Sequence, residues 1–559
     1  MSKDSILDSA NDDIADAYSN EKIINSGGDR KQHMVMADVL PDLKKPFYKV
    51  PYLRSLSWYI FVLTLASTNN GYDGSLLNGL YAMPDFLNAM GNPSAAELGL
   101  ISNGMMFGIL IFFQFAPYVI DKYGRKAGIY LGNVLICLGV LIQSLSGVWI
   151  NGLPENYDEK DVFGMFVASR VVLGTGVLLV SIATPALISE ISYPPHREVC
   201  TSLFNTCWYL GAVVSAWITY GCRNLAHHWN WRIPSIIQAF FPILQIILLM
   251  KCPESPRYLV FHNRDEEARE LLNQHHAGNN EEYGGLIDFE LAEIKLAIEQ
   301  EKMSKSTKFS DFVKTKGNRH RLWILIWTAI FTQLSGNGLV SYYLSKVFIS
   351  IGITDPNEQL EWNGWLMLYN WLCSLILMSY IAPYFKRRQL FLISLVSMGF
   401  CFIVWTALSA ENQKRNFEDK SLANGVLAMI FLYYFSYNFG FNGFPFVYTT
   451  EILPYTLRGK GLAIFQGAIS ICIIFNGFVN PIAMDAIEWK YYIVYCCFMF
   501  VEVAICYFTF VETSGRTLEE VDEIFGDGIQ QLPDITSQII LEDGKRISVE
   551  HLERKEAIN

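Results

Sequence analysis

The chain has 559 residues, of which 51% are hydrophobic, 14% aromatic and only 17% charged. A soluble domain carries about 25% charged residues, so the composition excludes an ordinary soluble enzyme, a disordered chain and a small disulfide-built secreted module. The net charge of −11 comes from acidic residues crowded into the first 40 positions, the stretch 265–301 and the tail after Glu512, so it describes polar ends and does not point to a partner.

Residues 1–54 are polar and contain no apolar core segment. They read as a cytoplasmic N-terminal tail without a cleavable signal. From Trp58 onward, apolar runs recur at 58–80, 98–120, 128–148, 163–188, 201–221 and 233–250. Each is near the length of about 20 residues that spans a bilayer, so 55–250 is predicted to be a six-helix bundle. Residues 251–321 are polar and read as a cytoplasmic loop. Apolar and charged residues alternate at helical spacing over 265–275 and 288–302, which predicts short amphipathic helices beneath the bundle. Six more runs, at 322–349, 363–385, 390–410, 425–449, 462–484 and 491–511, predict a second bundle over 322–511. Residues 512–559 form a second tail. The predicted fold is an all-α membrane protein of twelve transmembrane helices in two pseudo-symmetric six-helix bundles. Loops on the side of the termini carry somewhat more Lys and Arg, among them Lys122, Arg125, Lys126, Lys386, Arg387 and Arg388, which places both termini in the cytoplasm.

A repeat supports the two halves. Residues 189–197 read SEISYPPHR and 450–458 read TEILPYTLR, so Glu190 precedes Arg197 as Glu451 precedes Arg458. The basic turn DKYGRK at 121–126 has a counterpart in Lys386, Arg387 and Arg388 at nearly the same offset. Two similar six-span halves are the pattern of a secondary transporter with its site between them. Asp121, Arg125, Glu190, Arg197, Glu254, Arg257, Arg387, Arg388, Glu451 and Arg458 lie at predicted helix ends, where they can form an inner gate.

Charge inside a span costs roughly 2.5–3.5 kcal/mol and so faces the bundle interior with a task. Asp73 in the first span and Arg170 in the fourth are such a pair, either a permanent ion pair or a proton switch; Glu502 in the last span is a third candidate. The seventh span carries Thr332, Gln333, Ser335, Asn337, Ser341, Tyr342 and Tyr343, and its glycines Gly336 and Gly338 predict a broken helix. The fifth carries Asn205, Thr206, Trp208 and Tyr209. Amides donate and accept together, which suits neutral, hydroxyl-rich solutes. No nucleophile, metal cluster or phosphate loop stands out. The eleven cysteines lack a CxxC spacing, so no enzyme activity, cofactor or metal is expected.

From about Trp58 to Glu520 the chain resembles the sugar porter family of the major facilitator superfamily. The resemblance rests on DKYGRK (121–126), Arg170 with Gly174 and Gly176, PALISEIS with Arg197, PESPRYL (253–259), QLSGNGLVSYY (333–343), EILPYTLRGKG (451–461) and ETSGRTLEE (512–520). The stretches GNGLVSYYL and NPIAMDAIEWKYYIVY resemble fungal lactose permease-like transporters. The resemblance implies a proton-coupled plasma-membrane importer of a disaccharide or hexose that works as a monomer by alternating access. An uncoupled facilitator and a transporter-like sugar sensor are the alternatives. It further implies proton coupling at Asp73 and Arg170, sugar contacts from Asn205, Gln333, Thr332 and Asn337, outer-gate roles for Tyr342 and Tyr343, and stacking on Phe446. Three departures carry expectations of their own. Asn337 precedes the family's Asn position, held here by Gly338, and one residue turns a helical side chain by about 100°. Ile469 is apolar where an amide often reaches the sugar. Pro383, Tyr384, Phe385 and Lys386 replace the family's Asp-x-x-Gly, so the second half of the gate is expected to lack its acid.

Overall fold

The computed structural model describes residues 49–147, 159–225, 228–280, 283–304, 308–377, 384–417 and 419–514, together with 32–33, 40, 521, 524–525, 535–542 and 546–553. Most of both predicted tails, Pro383, and residues 515–520 of the last motif lie outside the described residues. The first half contains α1 (Pro51–Tyr81), α2 (Ala95–Phe112), α3 (Arg125–Ser144), α4 (Glu159–Ile191), α5 (Arg197–Cys222) and α6 (Trp229–Leu249). The second contains α7 (Lys316–Ser350), α8 (Pro356–Ile376), α9 (Arg387–Lys414), α10 (Lys420–Ile452), α11 (Tyr455–Ile487) and α12 (Tyr491–Thr509).

Among the described residues, nine helical stretches are long and apolar enough to cross a membrane, and one of them, Leu457–Thr509, holds both α11 and α12. The two further helices, α1 and α8, have the length, at 31 and 21 residues, but dilute their apolar sequence with Asn69, Asn70, Asp73, Asn78, Asn363 and Asn370. Five of these six amide and acid side chains are buried. Polarity there marks an inward face, and the two six-helix halves stand.

Local chemistry sets the boundaries. Ser94 and Glu97 cap α2 reciprocally, with Ser94 N donating to Glu97 Oε2 at 2.7 Å. Asp355 caps α8, accepting from Asn357 N at 3.1 Å, with Pro356 in the first turn. Gly124 takes φ +101° in the DKYGRK turn, and a Cβ there would lie 2.5 Å from Glu254 Oε2, so only glycine fits. The predicted break in α7 is present. Its first piece ends at Leu334, Gly336 has φ +101°, and the helix resumes at Asn337.

Each half has its own core. Leu63, Ile136, Leu173, Ala183 and Leu187 are fully buried in the first, and Leu325, Val340, Phe402, Trp405 and Tyr433 in the second. Within the first half, α1 and α5 touch backbone to backbone. A Cβ on Gly71 would sit 1.7 Å from Trp208 O, and one on Gly211 would sit 1.8 Å from Thr68 O. A third cluster joins the halves, packing Tyr72, Tyr81, Phe86 and Trp231 with Tyr343 and Leu360.

That junction lies at the ends of the helices away from the termini. Asn103 donates to Ile474 O at 3.2 Å, Trp217 meets Trp365 edge-on at 5.3 Å, and Arg223 donates to Asn357 Oδ1 at 2.9 Å. On the opposite face lies the central loop, with helices Pro256–Phe261, Asp265–Leu272 and Gly284–Ser304, as the 265–275 and 288–302 periodicity predicts. It is tied to the end of α4 by His276, whose Nδ1 lies 2.7 Å from Glu290 Oε2 and whose Nε2 lies 3.1 Å from Ile191 O. Beyond the membrane body, the tails build a three-stranded antiparallel sheet. In it β1 (Gln32–His33) pairs with β2 (Ile535–Glu542), and β2 pairs with β3 (Arg546–Glu553). The membrane body is all-α as expected, and the tails add this small sheet to it.

Candidate substrate cavity and its flanking charges

Between the halves lies a cavity of about 490 Å³. Eight amide side chains line it: Asn70 and Asn78 from α1, Asn205 from α5, Gln333 and Asn337 from α7, Asn370 from α8, Asn442 from α10 and Gln466 from α11. Aromatic faces fill the spaces between them, among them Trp208, Tyr342, Tyr434 and Phe446, and among the described residues no Asp, Glu, Lys or Arg is in the lining. The amide oxygens of Asn70, Asn78 and Gln333 are buried with no hydrogen-bond partner, so they stand as ready acceptors for hydroxyl groups. Phe204, Asn205, Pro445, Phe446 and Gln466, near the starts of α5 and α11 and the end of α10, carry the cavity toward the face of the termini. The opposite end is closed by the junction described above.

The structure brings Asn205, Thr332, Gln333, Asn337, Tyr342 and Phe446 together on this cavity. Tyr343 is not in the lining. It is fully buried one layer beyond, stacked on Tyr81 at 6.1 Å, with its hydroxyl donating to Gly477 O at 2.5 Å and lying 3.0 Å from Ser102 Oγ. Two of the departures resolve. The break at Gly336 resets the helical register, so Asn337 does face the cavity, donating to Tyr437 Oη at 3.2 Å and accepting from Ser341 Oγ at 2.8 Å. A Cβ at Gly338 would lie 2.4 Å from Asn476 Nδ2, so an Asn there would be excluded by α11. Ile469 lines the cavity as an apolar patch, and Gln466, three residues earlier on the same face of α11, supplies the amide. Sequence reading missed Gln466, and its spacing from Ile469 was the available signal.

Gln333→Ala is expected to weaken sugar binding by about 1–3 kcal/mol, roughly 5- to 150-fold, because hydroxyls matched to the amide lose their partner. Ser335→Ala, at a fully buried residue that is not in the lining, should change affinity little. Equilibrium binding of labelled sugar to the purified variants checks the pair, and equal effects would place the sugar elsewhere.

Asp73 and Arg170 are both buried, at 0% and 2% exposure. They are not joined by an ion pair within 4.0 Å. Asp73 Oδ1 accepts from Gln238 Nε2 at 2.6 Å and Oδ2 from Asn69 Nδ2 at 3.1 Å, while Arg170 Nε and Nη1 are buried without a hydrogen-bond partner. Neither residue lines the cavity. Glu502 is likewise fully buried with both carboxyl oxygens unpartnered, in α12 and outside the lining.

On the face of the termini the two halves are wired alike. Arg125 Nε donates to Glu190 Oε2 at 3.2 Å, and Arg387 Nε donates to Glu451 Oε1 at the same distance. Ser255 Oγ donates to Glu190, as Thr513 Oγ1 does to Glu451. Glu254 accepts from Lys126 N at 3.2 Å, as Glu512 accepts from Arg387 N at 2.9 Å and Arg388 N at 3.1 Å. Burial raises the Glu254 carboxyl above its ordinary range, and the backbone N–H groups of Ser255 and Lys126 offset part of that rise. Arg197 pairs with Glu293 of the central loop at 3.9 Å, and Arg257 borders a second cavity of about 230 Å³ beside Glu190 and Arg197. Arg458 begins α11.

The expectation of an acid-deficient second half is thereby corrected. Asp121 is only an i,i+4 neighbour of Arg125 at 3.5 Å with its side chain 62% exposed, and such a pair is worth under about 1 kcal/mol. The acids that matter, Glu190 with Glu254 and Glu451 with Glu512, are present in both halves. Glu190→Gln and Glu451→Gln are therefore expected to change the cysteine-labelling rate of the terminal face to a similar degree, within about twofold of one another. A severalfold difference would show that the halves are not equivalent.

Residues 59–525 match the family model described as "Sugar (and other) transporter". The chain belongs to this family. It is a multi-pass membrane transporter of the major facilitator type whose family substrate is sugar, and it is not an enzyme. Among curated relatives, the MFS-type transporter oryC of Aspergillus oryzae is 27% identical over 512 residues, covering 87% of this chain and 88% of the relative. The low-affinity glucose transporter of Kluyveromyces lactis is 24% identical over 512 residues, covering 88% and 87%. Among solved structures, the inward-open xylose transporter XylE from E. coli superposes with a TM-score of 0.70 at 21% identity, covering 84% of this chain and 99% of XylE. That likeness establishes the fold.

Proposed function

We propose that the chain imports a neutral sugar across the fungal plasma membrane by alternating access, coupled to a proton carried at Asp73, with both termini and the central loop in the cytoplasm. The observation that carries this reading is the amide-lined cavity between the two halves, without a charged side chain among the described residues and closed at the end away from the termini. Amides and aromatic faces match hydroxyls and sugar rings, and a volume of about 490 Å³ lies within the roughly 300–1,000 Å³ of small-ligand sites. A hexose is the first substrate in view of the glucose transporter among the relatives; the space also admits a disaccharide, as the lactose permease-like wording suggests. Asn205, Gln333, Asn337 and Gln466 would hold hydroxyls, Phe446 would stack on a ring, and Tyr342 would close over it. The Arg125–Glu190 and Arg387–Glu451 groups, each formed within one half, would shape the two inner ends for contact when the inner side closes, and the junction of Tyr81, Tyr343 and Asn103 would hold the outer side closed.

An uncoupled facilitator is the second reading, favoured by the position of Asp73 outside the cavity lining. Uptake of labelled glucose, xylose, cellobiose and lactose in a transporter-deficient yeast, with external pH recorded, separates them. Accumulation with alkalinisation supports the symporter, and flux that stops at equal concentrations supports the facilitator. Sugar-dependent signalling with no flux would replace both by a sensor.

A further inference from the structure

The environment of Asp73 assigns a task to a helix that sequence reading left without one. α6 is interrupted at Gln238 and Ala239, between Trp229–Ile237 and Phe240–Leu249. The cause is Pro242, which lacks the N–H that would bond the carbonyl of residue 238 and whose ring crowds that carbonyl. At the break the N–H of Gln238 turns to Ile236 O, and the carbonyl of Pro234 instead accepts from Tyr72 Oη at 2.8 Å. The same break presents the fully buried side chain of Gln238 to the next residue of α1, Asp73. Gln238 Oε1 accepts from Gln143 Nε2 at 3.3 Å, so its amide nitrogen is the end that meets Asp73 Oδ1. Asn69 supplies the second N–H, to Oδ2.

Both carboxyl oxygens thus accept from amides, which is the pattern of an ionised carboxylate. Arg170, from α4, makes no ion pair with Asp73 in this conformation, and among the described residues two of its nitrogens are buried without an acceptor. We propose that Gln238 is a positioning residue for the proton site. It holds the deprotonated Asp73 in place of Arg170 while the outer end is closed, so that the proton can leave before the halves return. This rests on the reading of Asp73 as the proton carrier.

The test compares sugar-driven alkalinisation with exchange of labelled sugar at equal concentrations in the full-length protein. Gln238→Met keeps length and burial and removes the donor. It is expected to lower the ratio of alkalinisation to exchange on the order of tenfold, whereas Gln245→Met, buried on the same helix but bonded to Asn133, Val62 O and Leu63 O and to neither Asp73 nor Gln238, should leave the ratio within about twofold of wild type. In an Asp73→Asn background, Gln238→Met should change the exchange rate no further. An unchanged ratio in Gln238→Met, or an equal loss in Gln245→Met, overturns the inference. Should Gln238→Met not reach the membrane, Gln238→Glu, of the same size, replaces it, and a wild-type ratio there overturns the inference equally. A wild-type protein that exchanges sugar without alkalinisation removes the proton-coupled reading and this inference with it. Alkalinisation by wild type with an unaltered Gln238→Met removes this inference alone.

Discussion

Asp73→Asn is expected to abolish sugar accumulation while leaving exchange of labelled sugar within about twofold. The substitution keeps the planar shape and removes the titrating group. Locally it sets one amide nitrogen against a donor, either Gln238 or Asn69. Asn69 can relieve that contact by turning its amide, because its Oδ1 has no partner to lose. The fold is therefore kept while coupling is lost. The size of the loss follows from the driving force. One proton moving inward with one sugar gains about 2.3 kcal/mol per 100 mV and about 1.36 kcal/mol per pH unit. For roughly 150 mV and two pH units the sum is about 6 kcal/mol, a ceiling of roughly 10⁴-fold on accumulation. The variant should stop at equal concentrations, and internal-to-external sugar ratios with and without an uncoupler measure it. Full accumulation by Asp73→Asn would move the proton to another group, of which the unpartnered Glu502 is the first to examine.

Gly71→Val is expected to prevent assembly of the first half. A Cβ at position 71 meets Trp208 O at 1.7 Å and Trp208 C at 2.6 Å, and these are backbone atoms that no rotamer change can move aside. The contact is reciprocated by Gly211 against Thr68 O, so α1 and α5 would have to separate along their crossing. Close approach of this kind is what holds helices together in a bilayer, where burial of apolar surface gives them no advantage over lipid. Overpacking against side chains costs typically 1–3 kcal/mol; against rigid backbone on both sides we expect more than about 3 kcal/mol. Gly164→Ala, on α4 with nothing within 4 Å of its new Cβ, is the matched control and should be neutral. Detergent-extracted monodisperse protein, followed by thermal unfolding, reads both. A well-behaved Gly71→Val would mean that α1 and α5 pack less closely than described.

Long apolar runs made most of the spans legible, and the Glu190–Arg197 and Glu451–Arg458 repeat made the two halves legible, because both signals are local in sequence. What escaped depended on geometry that spacing does not carry. Asn337 seemed misplaced by one residue only under an unbroken helix, and the positive φ of Gly336 removes that assumption. The turn lacking an acid looked defective because Asp121 was given weight that its exposure does not support, whereas Glu254 and Glu512 reach the same turns from distant segments. Gln238 was invisible because an amide in an apolar span carries no sign of which helix it will meet. The tail strands were missed because a search for apolar runs of bilayer length passes over eight-residue segments such as Ile535–Glu542.

The uncharged lining has a metabolic meaning. On the proposed reading, with the terminal face in the cytoplasm, the cavity is bathed in the products that the cell makes from an imported sugar, phosphate esters among them. At neutral pH that group carries about −1.5 to −2 charges, and the eight amides offer it no cation. Stripping water from an uncompensated anion costs several kcal/mol, so the phosphorylated product is refused by the same walls that accept its precursor. Retention needs no valve. A sugar that gains a phosphate inside cannot leave by the route through which it entered.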